Sequence, residues 1–154
     1  MSWKLENSID AAFVAYLKPL LPGTIKVYPS CTNDELQYPC VVPCAGEGEN
    51  ENNDIGFNGH RKIQVVVAVM VESADELDEA GVKIKTALQR ISEAYGEVME
   101  ALAIKYLEAD LNAVNSPGVK FSFASVMATS APTYEGRLFI RTINVEVIAN
   151  PVKI

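Results

Sequence analysis

The residues able to do chemistry in this chain are few and poorly spaced for it. A single histidine, His60, opens the basic triplet His60-Arg61-Lys62. One imidazole beside two cations builds neither a Ser-His-Asp nor a Cys-His arrangement, because each needs a base oriented by a third group. Three cysteines, Cys31, Cys40 and Cys44, are an odd number and do not spell a secreted disulfide framework. Cys40 and Cys44 fall four apart in an extended run, on one strand face and too far along it for an easy bridge. With His60 they make a formal Cys3His set, but the spacing is not that of a zinc knuckle and Pro43 interrupts it. Small buried hydrophobes are the better reading. The glycines at 46, 48, 56 and 59 lead into no Gly-Lys-Ser/Thr and no strand-to-helix turn, so they do not form a phosphate loop. The expectation is a protein without catalytic residues, metal or cofactor.

The acidic pairs Asp75-Glu76 and Asp78-Glu79 have a structural explanation. Ser73 with Glu76 three residues on spells a capping box, and carboxylates are favoured in the positive first turn of a helix. Leu77, Gly81, Ile84, Leu88 and Ile91 continue at helical spacing, predicting a helix from about 74 to 93. It follows directly on the apolar run Ile63–Val71, read as a long buried strand over roughly 60–71.

Other elements frame this unit. Leu5, Ile9, Ala12, Phe13, Tyr16, Leu17 and Leu20 make one stripe of a helix over 3–21, stopped by Pro22-Gly23. Thr24–Tyr28 alternates as a short strand, and the proline-bracketed run 39–44 reads as a strand at an edge or bulge. In 94–115, Tyr95, Met99, Leu102 and Tyr106 form one helical stripe and Ile104, Leu107, Leu111 and Val114 another. A helix apolar on two sides is covered on both, which makes Leu107 and Leu111 candidates for contact with another chain. Val119–Thr129 and Arg137–Ala149 predict an antiparallel pair, the former losing its phase after Ser125 as at a bulge. The predicted fold is α+β: one 1–154 domain of two layers, a mostly antiparallel sheet with helices on one face.

The formal charge of −7 over 154 residues argues against a protein that grips nucleic acid through phosphates. No apolar run approaches the ~18 residues of a membrane span, and Glu6 stands where a signal peptide needs hydrophobic residues, so synthesis and residence in a cytoplasm are expected. Residues 46–59 carry Glu47, Glu49, Glu51 and Asp54 with almost nothing to bury, predicting a mobile acidic loop that faces solvent, a partner or a channel. The triplet His60-Arg61-Lys62 is either solvated or meets the acidic loop of a neighbouring copy. Trp3, at the start of the first helix, either staples onto the domain or anchors another chain.

Taken in order, an amphipathic first helix leads to a Pro-flanked strand (Tyr38-Pro39-Cys40-Val41-Val42) and a polar Glu/Asn/Gly loop. The strand ending in the run Ile63–Val71 then joins directly to an acidic-start helix (Ser73-Ala74-Asp75-Glu76-Leu77), and the chain closes on the strand Arg141-Thr142-Ile143-Asn144-Val145-Glu146-Val147. This layout resembles the tail-terminator and neck proteins of long-tailed bacteriophages, the gpU-like group, a family without a catalytic motif. The 94–116 segment departs from the family's pattern. The resemblance implies a virion protein made in the host cytoplasm. It would form a homo-oligomeric ring, of six subunits in that family, that caps the tail tube and joins tail to head. Its implied partners are the tail-tube protein and a head-proximal connector or stopper protein. Alternatives are a head-completion or connector protein, another minor virion protein, or a non-viral soluble adaptor domain. Geometry is compatible with a ring: a compact domain of this length is a sphere roughly 38 Å across, and six in contact leave a hole about as wide as one. Such a hole admits a DNA duplex, and an acidic lining lets DNA pass without specific binding, by repulsion over a Debye length of about 8 Å.

Overall fold

The spine of the molecule is an alternating strand. The computed structural model describes residues 2–30, 35–46, 49–50, 61–74, 76–77, 79–81, 83–114 and 118–151. Within it, Ile63, Val65, Val67, Val69 and Val71 are buried on one face of a strand spanning Arg61–Glu72. Gln64 and Val66 are exposed on the other. That period of two is what a sheet covered on one side requires.

In chain order the elements are α1 (Ser2–Leu20), β1 (Lys26–Val27), β2 (Cys40–Ala45), β3 (Glu49–Asn50), β4 (Arg61–Glu72), β5 (Glu76–Leu77), β6 (Lys83–Lys85), α2 (Ala87–Leu102), α3 (Leu107–Ala113), β7 (Val119–Thr129), β8 (Thr133–Glu135) and β9 (Leu138–Pro151). Among the described residues the main sheet has seven strands, in the order β1-β2-β4-β9-β7, with β3 extending β4 and β8 pairing β9. All neighbours are antiparallel except β1 and β2. The three helices pack on one face, giving the predicted α+β fold. The core lies between, with Phe13 of α1 meeting Phe121 of β7 edge to face at 6.2 Å between centroids.

Two sequence readings need correction. Residues 73–85 are not the start of a helix: β5 and β6 form an antiparallel hairpin there, and Gly81 turns with φ +79°. The capping box that operates is Thr86-Gln89. Gln89 N–H donates to Thr86 Oγ1 at 3.1 Å, while Thr86 N–H donates to Gln89 Oε1 at 2.8 Å. Helix α2 accordingly buries Ala87, Ile91, Ala94, Val98 and Leu102 and leaves Leu88 exposed. The 94–115 segment is likewise not one two-sided helix. Helix α2 ends at Leu102 and α3 starts at Leu107, so the two stripes belong to two helices, each buried once.

The last hairpin follows the expected course, and β7 slips register twice against β9, between Phe121 and Phe123 and between Val126 and Ala128. The second slip lies where the alternation fails. Gly118, the turn residue just before β7, has φ +91°, and a Cβ there would come within 2.8 Å of Ser8 Oγ. Turn and close approach together demand glycine at this position.

Candidate functional site

The register defines a second face of the sheet that no helix covers. Across it run Cys40, Met70 and Ile140, then Val42, Ala68 and Thr142, then Cys44, Val66 and Asn144. Toward the other end come Gln64, Glu146 and Ser125, then Lys62, Ile148 and Phe123. Val66 and Phe123 are 36% and 37% exposed. The face is therefore apolar at its centre and half-open to solvent. Its polar end is organised by Glu146, which accepts from Gln64 Nε2 at 3.0 Å and lies 3.4 Å from Lys62 Nζ. Cys40 is fully buried on this face, and burial pushes its thiol up to about 11. Cys44 is exposed, so only one of the two behaves as the small buried hydrophobe expected of both.

Side chains from the helices hold one backbone position near each side of the same sheet. The Asp10 carboxylate of α1 accepts from the Ala45 N–H of β2 at 2.7 Å and from Ser30 Oγ at 2.6 Å. Burial is the main influence on this carboxyl and pushes it above the usual range, against the pull of those two donors. At the opposite edge, the Asn112 amide of α3 bonds both the N–H and the carbonyl of Phe121. An edge so occupied is a poor template for strand addition.

A second feature is a shallow hollow of about 400 Å³ on the helical layer, lined by Tyr16, Leu20, Glu97, Glu100, Ala101, Ile104 and Asp110. Tyr16 donates to the Ala101 carbonyl at 2.5 Å, which ties α1 to α2 at its floor. Leu20 and, beside the hollow, Tyr106 are 55% and 61% exposed. A larger hollow of about 490 Å³ lies between the end of α1 and α2. There the guanidinium of Arg90 bonds the carbonyls of Glu72 and Ala74, securing the exit of β4. That is a structural task.

The residues singled out by sequence distribute unevenly over this frame. Leu107 and Leu111 are 0% and 1% exposed and belong to the core, so they are not available to another chain. Lys62 lies on the open face and pairs with Glu146. Glu49 in β3 is the backbone partner of Lys62, and Arg61 stands between Asn50 and Ala149. Trp3 lies within α1, its side chain outside the described residues. Glu47, Glu51, Asp54 and His60 lie outside the described residues altogether. The sequence reading put the helices on one face of the sheet but named no residues of the other, because an unbroken apolar run does not show which side chains point away from the core. It also missed Asp10 and Asn112, whose roles depend on contacts 35 and 9 residues away. Among the described residues no helix is long and apolar enough to cross a membrane.

No protein-family model matches the chain, and a search of curated proteins gave no match.

Proposed function

We propose that this chain is a structural virion protein, a tail terminator whose copies form a ring that caps the tail tube and joins tail to head. The observation that carries the reading is the sheet face opposite the described helices, which is partly apolar and exposes Val66 and Phe123. An antiparallel sheet can leave one face to solvent, but the apolar side chains Val66 and Phe123 exposed on this one suit a subunit that buries them against a neighbour. The acidic balance fits a channel through which DNA passes without being held. The resemblance to the phage family rests on the amphipathic first helix, the Pro-flanked strand and the closing strand; its step from the long strand straight into a helix is replaced by the β5–β6 hairpin.

The test is assembly. Native mass spectrometry of the purified chain is expected to give a closed oligomer, and electron microscopy a ring with a central hole. Adding a tail-tube protein from the same genome should produce capped tubes of limited length. Binding to a connector protein but not to the tube would favour a head-completion role instead. A chain that stays monomeric at tens of micromolar and ignores both proteins is not a ring subunit.

A further inference from the structure

We infer that the ring contact is heterologous: the open sheet face of one subunit seats on the helical hollow of the next. This rests on the ring reading and specifies which two surfaces meet. A closed ring of more than two subunits needs two different patches on each copy, because a patch that pairs with itself stops at a dimer. The molecule carries two such patches on opposite layers.

Their chemistry is complementary. At the Phe123 end of the open face, Phe123 and Ile148 stand beside Lys62, with Lys120 two residue pairs along β7 and exposed. The hollow presents Leu20 and Ile104 within a rim of Glu97, Glu100 and Asp110. Lys105, the neighbouring cation, is held over the ring of Tyr106 at 5.4 Å from its centroid. An apolar centre with Lys120 and with Lys62, the latter paired to Glu146, thus faces an apolar hollow with three carboxylates. Both charge sets stay at the rim, where they set register and partner choice more than affinity.

Size agrees as well. Four strands about 4.8 Å apart and about ten residues long present roughly 600 Å². Only if the next subunit covers the whole face, beyond the hollow itself, does the contact bury about 1,200 Å² in total, which enters the range of specific interfaces. The hollow of about 400 Å³ has room for the Phe123 ring. Strand addition across Ala45 or Phe121 would have to displace Asp10 or Asn112 from the backbone groups they hold.

The experiment uses the full chain and two variants, Phe123→Glu and Ile104→Glu, each altering an exposed side chain. Each alone is expected to be a folded monomer, with the circular dichroism and unfolding midpoint of the wild type. Mixed one to one, they form a species of two chains and nothing larger, since each supplies the patch that the other lacks. Charge reversal gives a second test less exposed to misfolding. Lys62→Glu/Lys120→Glu and Glu97→Lys/Glu100→Lys each fail to assemble alone at low salt, and mixing them restores a ring of alternating subunits. The inference is overturned if Ile104→Glu assembles like the wild type, or if the mixtures stay monomeric while the wild type forms rings. A wild type that is itself monomeric overturns the ring reading, and with it this inference.

Discussion

Asn112 closes the free edge of β7 by holding both backbone groups of Phe121. Its Nδ2 donates to the Phe121 carbonyl and its Oδ1 accepts from the Phe121 N–H, each at 2.8 Å. A primary amide is the side chain that offers one donor and one acceptor in the geometry of a peptide unit. It therefore imitates the next strand while belonging to a helix. Asp10 treats the Ala45 N–H at the other edge in a comparable way. Each of these two side chains thus guards one backbone position near a side of the sheet.

Asn112→Ala should therefore cost about 1–3 kcal/mol, because two part-buried backbone groups lose their partner. Asn112→Asp should not recover it, since a carboxylate accepts from the Phe121 N–H but repels the carbonyl. Urea unfolding measures the loss, and hydrogen exchange at the Phe121 amide should quicken in both variants. Wild-type exchange at that amide would show that the bond does not protect the edge.

Leu107→Ser and Leu111→Ser should each destabilise the subunit itself, by about 3–5 kcal/mol, through a cavity and an unpaired hydroxyl in the core. Thermal unfolding at concentrations too low for assembly separates this from an interface effect. Unchanged melting of the monomer with loss of the ring would restore these leucines to the subunit interface.

The legible parts of the fold were those whose period speaks for itself. Helix α1 and strand β9 announce themselves by 3.6 or 2, because one face of each is packed and the other is not, whereas β4 is legible as an unbroken apolar run. The region 73–85 was misread because Ser73 and Glu76 satisfy the capping pattern that Thr86 and Gln89 use in the folded chain. Local propensity cannot choose between two such starts. The choice falls to Gly81, whose left-handed turn permits the β5–β6 hairpin, and to Arg90, which fastens the exit of β4. The double stripe in 94–115 was read as one helix with two buried sides. Leu21, buried where the stripe of α1 predicted Leu20, marks a similar slip at a helix end. The candidate surface was less legible than the core, since exposure on the far side of a sheet is a property of what the rest of the chain leaves uncovered.

The two strand cysteines should differ sharply toward thiol reagents. Cys44 is exposed, whereas Cys40 is fully buried and its thiol titrates near 11. Only the thiolate attacks, so at pH 8 roughly one Cys40 in a thousand is reactive even before access is considered. In a chain carrying Cys31→Ser, a chromogenic disulfide should release one equivalent quickly and the second only with denaturant. Two fast equivalents would place Cys40 within reach of solvent.

Asp10 gives the chain a pH dependence of unusual sign for a carboxylate. It is 7% exposed, and burial raises its pKa although Ser30 Oγ and the Ala45 N–H both favour the ionised form. The unfolded chain releases this proton near pH 3.9. Between that value and the higher folded one, the native state binds more protons than the unfolded state, so stability falls as pH rises through the window. The contribution is complete below the unfolded pKa and gone above the folded pKa. Asp10→Asn removes the titration while keeping an oxygen for the Ala45 N–H, so the stability of wild type relative to Asn should decline from acid toward neutral pH and then level off. Asp10→Ala should lose a further 1–3 kcal/mol or so at every pH, because the Ala45 N–H is left without its acceptor. Urea midpoints of the three chains between pH 3 and pH 8 measure both effects. If wild type instead gains on Asn as pH rises, the two donors outweigh the burial, and the carboxylate is a net anchor of β2 in its charged form.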